Sequence, residues 1–275
     1  MKANKILTAI LIITTTIVAC HKDPVIPPEP PIAAAGLKVK DISERNLPSP
    51  YYHFEYDDSG KITLLNYQSG LRIFEIKYNG ENIVSMENRV GPVGDIKLEY
   101  VYVNGEFVGI KVKNRNGEVV ENCIVSYNSS HQLQEIEWDI SDGSTGFLIE
   151  QTLTYSYYPD GNVMEVVTHN YPIAPQTEAI YTDRFENYDD HVNADGFSLA
   201  NNSTHEPILL PGTKIQLNNP RRIIRTGDGI NFEINFTYTY DSKGRPTVKT
   251  GDVLSTNGSN AGQHFQSQST FSYYD

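Results

Sequence analysis

Cysteine is scarce in this chain: Cys20 and Cys123 are the only two in 275 residues. That excludes a framework of several disulfides and leaves the fold to rest on its core. Long apolar runs are missing too. The best, Ile6 to Val18, falls short of the roughly 20 residues a membrane-spanning helix needs. Cations are in deficit, 22 Lys and Arg against 34 Asp and Glu, for a formal net charge of −12. Such a balance disfavours nucleic acid or a bare anionic membrane as partners. No long stretch carries the 3.6 period of a helix, and Pro172, Pro175, Pro207, Pro211, Pro220 and Pro246 discourage helices in the C-terminal half. Catalytic signatures are also absent. There is no Gly-x-Ser-x-Gly elbow and no phosphate-cradling glycine loop. The seven histidines, His21, His53, His131, His169, His191, His205 and His264, form no i, i+4 pair and no Cys/His set of the kind zinc requires. The expectation is a protein with no catalytic residues, no metal and no cofactor.

What is present begins at the N-terminus. Lys2 and Lys5 precede the apolar run, and Ile17-Val18-Ala19-Cys20 follows it. Residues 1–19 read as a cleaved export signal. The segment resembles the bacterial lipoprotein signal, which implies that Cys20 becomes the lipid-carrying N-terminus and the anchor to a membrane. Removing residues 1–19 takes away two lysines and no acids, so the charge moves from −12 to −14. Residues 20–36 are rich in proline (Pro24, Pro27, Pro28, Pro30, Pro31) and form no core. At ~3.1 Å per residue they make a tether of up to ~50 Å. The residue after Cys20 is not Asp, which resembles sorting to the outer membrane, and Lys22-Asp23 resembles the export tag of surface lipoproteins.

Residues 37–275 read as a single β domain. A tyrosine repeatedly closes an alternating run, and a short polar turn follows. Tyr56-Asp57-Asp58-Ser59-Gly60, Tyr78-Asn79-Gly80, Tyr102-Val103-Asn104-Gly105, Tyr157-Tyr158-Pro159-Asp160-Gly161 and Tyr240-Asp241-Ser242-Lys243-Gly244 repeat the beat. Asx and Gly supply the turns. Spacings of 22 to 30 residues from Tyr56 through Tyr78, Tyr102, Tyr127 and Tyr157 fit two strands and two turns each. The fold class expected is all-β: an antiparallel meander of repeated hairpins, strongly curved or closed into a barrel. Alternation is cleanest from Ile230 to Tyr240, with Ile230, Phe232, Ile234, Phe236, Tyr238 and Tyr240 on one face. The beat tyrosines fall on this apolar face; Tyr51, Tyr67 and Tyr158 fall off it and are candidates for a binding surface. Cys123, once Cys20 is lipidated, is a lone buried thiol.

The repeat breaks between Asp189 and Asn219. Phe197, Leu199, Ile208, Leu209 and Leu210 suit this irregular insertion to plug the concave side of the sheet. Thr213 to Leu217 and Arg221 to Arg225 read as short strands around an Asn-Asn-Pro turn. His191 to Asn202 resembles a calcium loop in spacing but lacks carboxylates at its first and last positions, so an Asx-rich turn is expected. Asp189 and Asp190 read as solvated turn carboxylates. Arg221, Arg222 and Arg225 stand out on an acidic protein: Arg221 and Arg225 on one face could grip an anion, or the three could guard a strand edge.

The tyrosine beats resemble the YD-type repeats of large bacterial surface proteins. The lipobox, proline tether, tyrosine hairpins and Leu210-Pro211-Gly212-Thr213-Lys214-Ile215-Gln216-Leu217-Asn218-Asn219-Pro220 together resemble lipoproteins of gut anaerobes carrying a domain of unknown function with a porin-like fold. That resemblance implies a curved sheet or barrel and transfers no catalytic residue. The functional expectation is a monomeric, non-catalytic envelope lipoprotein, anchored through Cys20 on the periplasmic face or at the cell surface, binding a glycan, peptide or partner protein. The alternative is an envelope hydrolase or lipid carrier with its site under the 189–219 insertion, using Asp195 and Glu206. A transmembrane barrel is not expected, because the polar face carries Lys97, Asn231 and Glu233.

Overall fold

The computed structural model describes residues 37–90, 96–193, 198–201, 207–213 and 215–275. Cys20, the export signal, the tether, Asp195, Phe197, His205 and Glu206 lie outside the described residues. The strands run β1 (Val39–Glu44), β2 (Tyr52–Tyr56), β3 (Ile62–Tyr67), β4 (Arg72–Asn79), β5 (Asn82–Asn88) and β6 (Lys97–Val103). β7 (Glu106–Lys113), β8 (Val119–Tyr127), β9 (Leu133–Ser141), β10 (Phe147–Tyr157), β11 (Val163–Asn170) and β12 (Ala179–Glu186) continue the meander. A short hairpin, β13 (Ser198–Asn201) and β14 (Pro207–Leu210), interrupts it. β15 (Arg222–Gly227), β16 (Phe232–Tyr240), β17 (Pro246–Ser255) and β18 (His264–Tyr273) complete it. All strands but β13 and β14 form one closed antiparallel barrel, in which β12 pairs with β15 across the insertion and β18 pairs with β1 at the seam.

The meander follows from the period-2 pattern, and the beat tyrosines mark where each hairpin turns. At Tyr56, Tyr78, Tyr102, Tyr127, Tyr157 and Tyr240 the ladder register shifts by a β-bulge. A bulge adds local twist and aims a side chain; here it turns the tyrosine ring inward at one end of the barrel. The turns that follow are held by an Asx side chain. Asp57 Oδ1 accepts from the backbone N–H of Ser59 and Lys61, each at 2.9 Å, and Asp241 Oδ1 does the same for Lys243 and Arg245.

The hydroxyls then link neighbouring hairpins. Tyr78 donates to the Ile62 carbonyl at 2.9 Å, and Ile62 is the residue paired with Tyr56. Tyr157 donates to Leu133, the partner of Tyr127; Tyr188 donates to Val163, the partner of Tyr157. Tyr273 donates to Pro246, the partner of Tyr240. Each tyrosine thus latches onto the preceding hairpin. Burial pushes the Tyr78 hydroxyl up to about 12 and raises Tyr56 and Tyr157 as well, so these groups stay protonated as donors.

The two faces of the wall have opposite characters. Phe54, Leu65, Phe74, Met86 and Trp138 point inward and are 0% exposed. Outside, Lys77, Glu87, Lys97, Glu99 and Lys113 form a run of ion pairs across β4 to β7, with N–O distances of 2.7, 3.5, 3.2 and 2.7 Å. A lysine at the midplane of a lipid-facing barrel would cost ~2–4 kcal/mol, so this ion-paired stretch of the outer face suits water. A sixteen-stranded barrel encloses more space than wall side chains can fill. The β13–β14 hairpin takes up part of it: Ile208, Leu209 and Leu210 are 0–3% exposed within the same core, and Tyr100 donates to the Leu209 carbonyl at 2.8 Å.

Several expectations need correction. β16 begins at Phe232, and Ile230 is 75% exposed in the preceding turn, because the hairpin from β15 turns over residues 228–231. No strand forms among the described residues of 213–217; this segment instead makes backbone and side-chain bonds to Asn162 and Asn193. Tyr67 is on the inner face and only 6% exposed, since its strand pairs Tyr52 and Arg72 in register.

Candidate ligand cleft

At the tyrosine end of the barrel a cleft of about 490 Å³ opens between the β4–β5, β6–β7 and β8–β9 turns and the Pro211-Gly212 corner after β14. Its volume falls in the range of small-ligand sites. Tyr102, Phe107 and Tyr127 supply aromatic lining; Glu81, Asn82, Asn104, Glu106 and His131 supply the polar groups. Asn104 and Gly105 both have positive φ, 52° and 85°, the conformation of a two-residue Asn-Gly hairpin turn, which carries the Asn104 side chain to the rim.

The repeat departs from its own rule here. The latch would send the Tyr127 hydroxyl to Phe107, the partner of Tyr102. Instead Tyr127 meets Thr213 Oγ1 at 3.1 Å, in the insertion. Burial raises the Tyr127 hydroxyl, and the Thr213 contact works against that rise. The turn after Tyr127 also differs. Asn128 Oδ1 holds the N–H groups of Ser130 and Gln132, as Asp57 and Asp241 do in theirs. The fourth turn position has φ 88°, 81°, 88° and 75° at Gly60, Gly117, Gly161 and Gly244, and 58° at His131. A side chain held in that region is strained by ~1–3 kcal/mol and is enriched at functional sites. The His131 imidazole lies parallel to the Tyr127 ring, with centroids 5.0 Å apart and 15° between planes. Its Nδ1 is 3.5 Å from Glu106, and its side chain is 72% exposed. Tyr102 is looser than its counterparts: the Ile83 carbonyl occupies the latch position and tempers the rise caused by burial, but the hydroxyl lacks the geometry of a formed hydrogen bond.

A second tyrosine leaves the latch in the same way. Tyr240 bonds Asp189 and stacks on His191 with centroids 3.8 Å apart. Asp189 is therefore not a solvated turn carboxylate: it also accepts from the N–H of His191 and from Asn219 N and Nδ2. Asp190 beside it has a fully exposed side chain. Both diverted tyrosines grip the insertion, one at each end.

The other candidates lie away from the cleft. Arg222 points outward and bonds Glu233 and Glu186 at 2.8–3.0 Å. Arg225 points inward, forms a bidentate pair with Asp183 at 2.6–2.7 Å, and lies between the Tyr181 and Phe232 rings. Arg221 directly precedes β15, and its backbone continues the pairing with Glu186 and Phe236. Arg222 and Arg225 are thus committed to carboxylates, which leaves Arg225 unavailable to grip an anion together with Arg221. Tyr51 and Tyr67 bond each other at 3.1 Å and share Gln68; Tyr158 donates to Phe185. None of the three lines the cleft. Cys123 is 2% exposed, and burial raises its thiol well above the usual range. Among the described residues no three His, Cys, Asp or Glu side chains converge where a metal could sit. The cleft residues Glu81, Asn104, Glu106 and His131 carried one sequence signal, the missing glycine in Tyr127-Asn128-Ser129-Ser130-His131.

No protein-family model matches the chain. No curated protein matches it. Among solved structures, a porin-like protein from Bacteroides vulgatus superposes with a TM-score of 0.55 at 16% identity, over 86% of this chain and 99% of that one. A porin-like protein from Bacteroides uniformis gives 0.53 at 13% identity, over 81% and 89%. The likeness is one of fold.

Proposed function

We propose that this chain is a lipid-anchored, non-catalytic binding protein of the bacterial cell envelope, and that it takes its ligand in the cleft at the tyrosine end. The reading rests on one observation: the hairpin that abandons both the tyrosine latch to the preceding hairpin and the turn glycine, β8–β9, is among the three whose turns line the cleft. A repeat array that needed only to fold would keep both. The apolar inner face of β2 to β9 and the ion-paired outer face of β4 to β7 support a binding body over a conduit, and the core packing of Ile208 to Leu210 disfavours a carried lipid on that side. The lipobox at Cys20 and the porin-like neighbours from Bacteroides support the envelope. The test has two arms. The full chain, expressed in a Gram-negative host with radiolabelled palmitate, is expected to label and to fractionate with membranes, and Cys20→Ala is expected to do neither; unlabelled wild type removes the anchor. Isotope-labelled 37–275 is then screened by NMR against glycan and peptide libraries, with shifts expected at Asn104, Glu106 and His131. Shifts elsewhere only, or none, remove the cleft.

A further inference from the structure

We infer that the cleft is a subsite for an electroneutral saccharide, with His131 as the stacking platform and Glu106 as the group that turns anionic sugars away. This deepens the binding reading and rests on it. A pyranose ring offers an apolar C–H face and an equatorial rim of hydroxyls, so a site for it needs a flat ring beside short polar side chains. The cleft supplies both. The outer face of the His131 imidazole is open to solvent, while its inner face is backed by Tyr127 at 5.0 Å, which fixes the ring plane. Asn82 and Asn104 bring amides that both donate and accept, as a sugar hydroxyl does. The strain at His131 has a use in this arrangement: at φ 58° it sets a ring against Tyr127 at a turn position where glycine would leave no platform.

Charge selects the sugar class. Glu81 pairs with Lys61 at 2.8 Å, whereas Glu106 has the more distant His131 at 3.5 Å. No Lys or Arg lines the cleft among the described residues, and the whole chain carries −12. A uronate or sulfate entering would meet a carboxylate with no Lys or Arg in the cleft lining beside it.

The experiment uses the barrel with its tether, fluorescently labelled, on a glycan array bearing neutral, uronate and sulfated oligosaccharides, with calorimetry on the best neutral ligand. Neutral features are expected to bind and anionic ones to fail. His131→Gly restores the residue the other turns use, so its melting temperature should not fall, while affinity should drop about tenfold with the ring contact gone. Glu106→Gln is expected to keep the neutral ligand and to admit uronates. Preferential binding of sulfated or uronate features overturns the inference, as does His131→Gly binding unchanged. A silent array with a peptide shifting the cleft resonances overturns the saccharide and leaves the binding reading intact. Cleft resonances that no ligand of any class moves end both.

Discussion

The Tyr56 hydroxyl donates to the Val39 carbonyl at 2.9 Å, and Val39 is the residue that Tyr273 faces across the closing seam of the barrel. The latch that Tyr78, Tyr157, Tyr188 and Tyr273 make to the preceding hairpin therefore also links the first hairpin to the last. Sequence-distant strands β1 and β18 are joined by the same device that joins neighbours, which makes closure a continuation of the repeat. A latch bond lost from mid-array should then weaken the whole barrel. Tyr157→Phe removes the 2.8 Å bond to Leu133 and keeps the ring. It is expected to lower unfolding stability by about 1 kcal/mol in urea, with an unchanged m-value; a midpoint equal to wild type would show that the latch is ornamental.

The hairpin inside the barrel depends on Tyr100. Its hydroxyl is the buried donor to Leu209, and burial holds it well above the ordinary tyrosine range. Tyr100→Phe strands the Leu209 carbonyl in an apolar core, at a cost of about 1–3 kcal/mol. Leu209→Ala should cost about 2–5 kcal/mol through the cavity it leaves. Limited proteolysis distinguishes a loosened plug from a loosened wall: both variants are expected to be cut first within 187–221, before any β-hairpin turn.

The strands, their inward faces and their turns were legible because period-2 alternation and Asx-Gly turns are local properties. Tyr78 and Tyr157 announced themselves by position alone. Closure was not legible, since the pairing of Val39 with Tyr273 joins opposite ends of the domain and leaves no local mark. The strand expected over 213–217 failed for a related reason: its side chains and backbone answer Asn162 and Asn193, 23 to 55 residues away. The cleft lay hidden because a histidine in place of glycine gains meaning only once the turn's left-handed backbone is known. Arg225 misled because its sign was visible and its bidentate partner Asp183 was not.

The outer wall sets two opposite responses to pH. Glu99 is held below the usual carboxylate range by its bonds to Lys113 and Lys97, and Glu87 by its bond to Lys77. A depressed folded-state value means stability present above the ordinary range and lost as pH falls through the folded value. Exposure keeps each contribution small. Glu137 on β9 behaves in reverse: desolvation first, then Asp139 and Glu135, raise it. Its ionised form costs stability at neutral pH, and that cost disappears on acidification. Glu137→Gln is therefore expected to raise the melting temperature at pH 7 and to match wild type near pH 3.5, below the ordinary glutamate value of about 4.3. A gain that persists unchanged at low pH would point to packing instead.

Among the described glycines, the one with least room for a side chain is Gly109 on β7, which pairs with Ile124 on β8. A Cβ added there would lie 2.1 Å from the Cys123 carbonyl oxygen, a backbone atom that cannot rotate aside. Gly109→Ala must push the two strands apart, and Cys123, at 2% exposure, is the reporter beside the gap. In 37–275 it is the sole thiol, and its raised, buried state should leave it inert to a thiol reagent until the protein unfolds. Gly109→Ala is expected to make Cys123 label under native conditions and to destabilise by several kcal/mol. Gly117→Ala is the control. It too places a side chain at positive φ, 81°, but in a turn with open space around it. It should cost about 1 kcal/mol without exposing the thiol. Equal labelling in both variants would mean that the β7–β8 contact is not what shields Cys123.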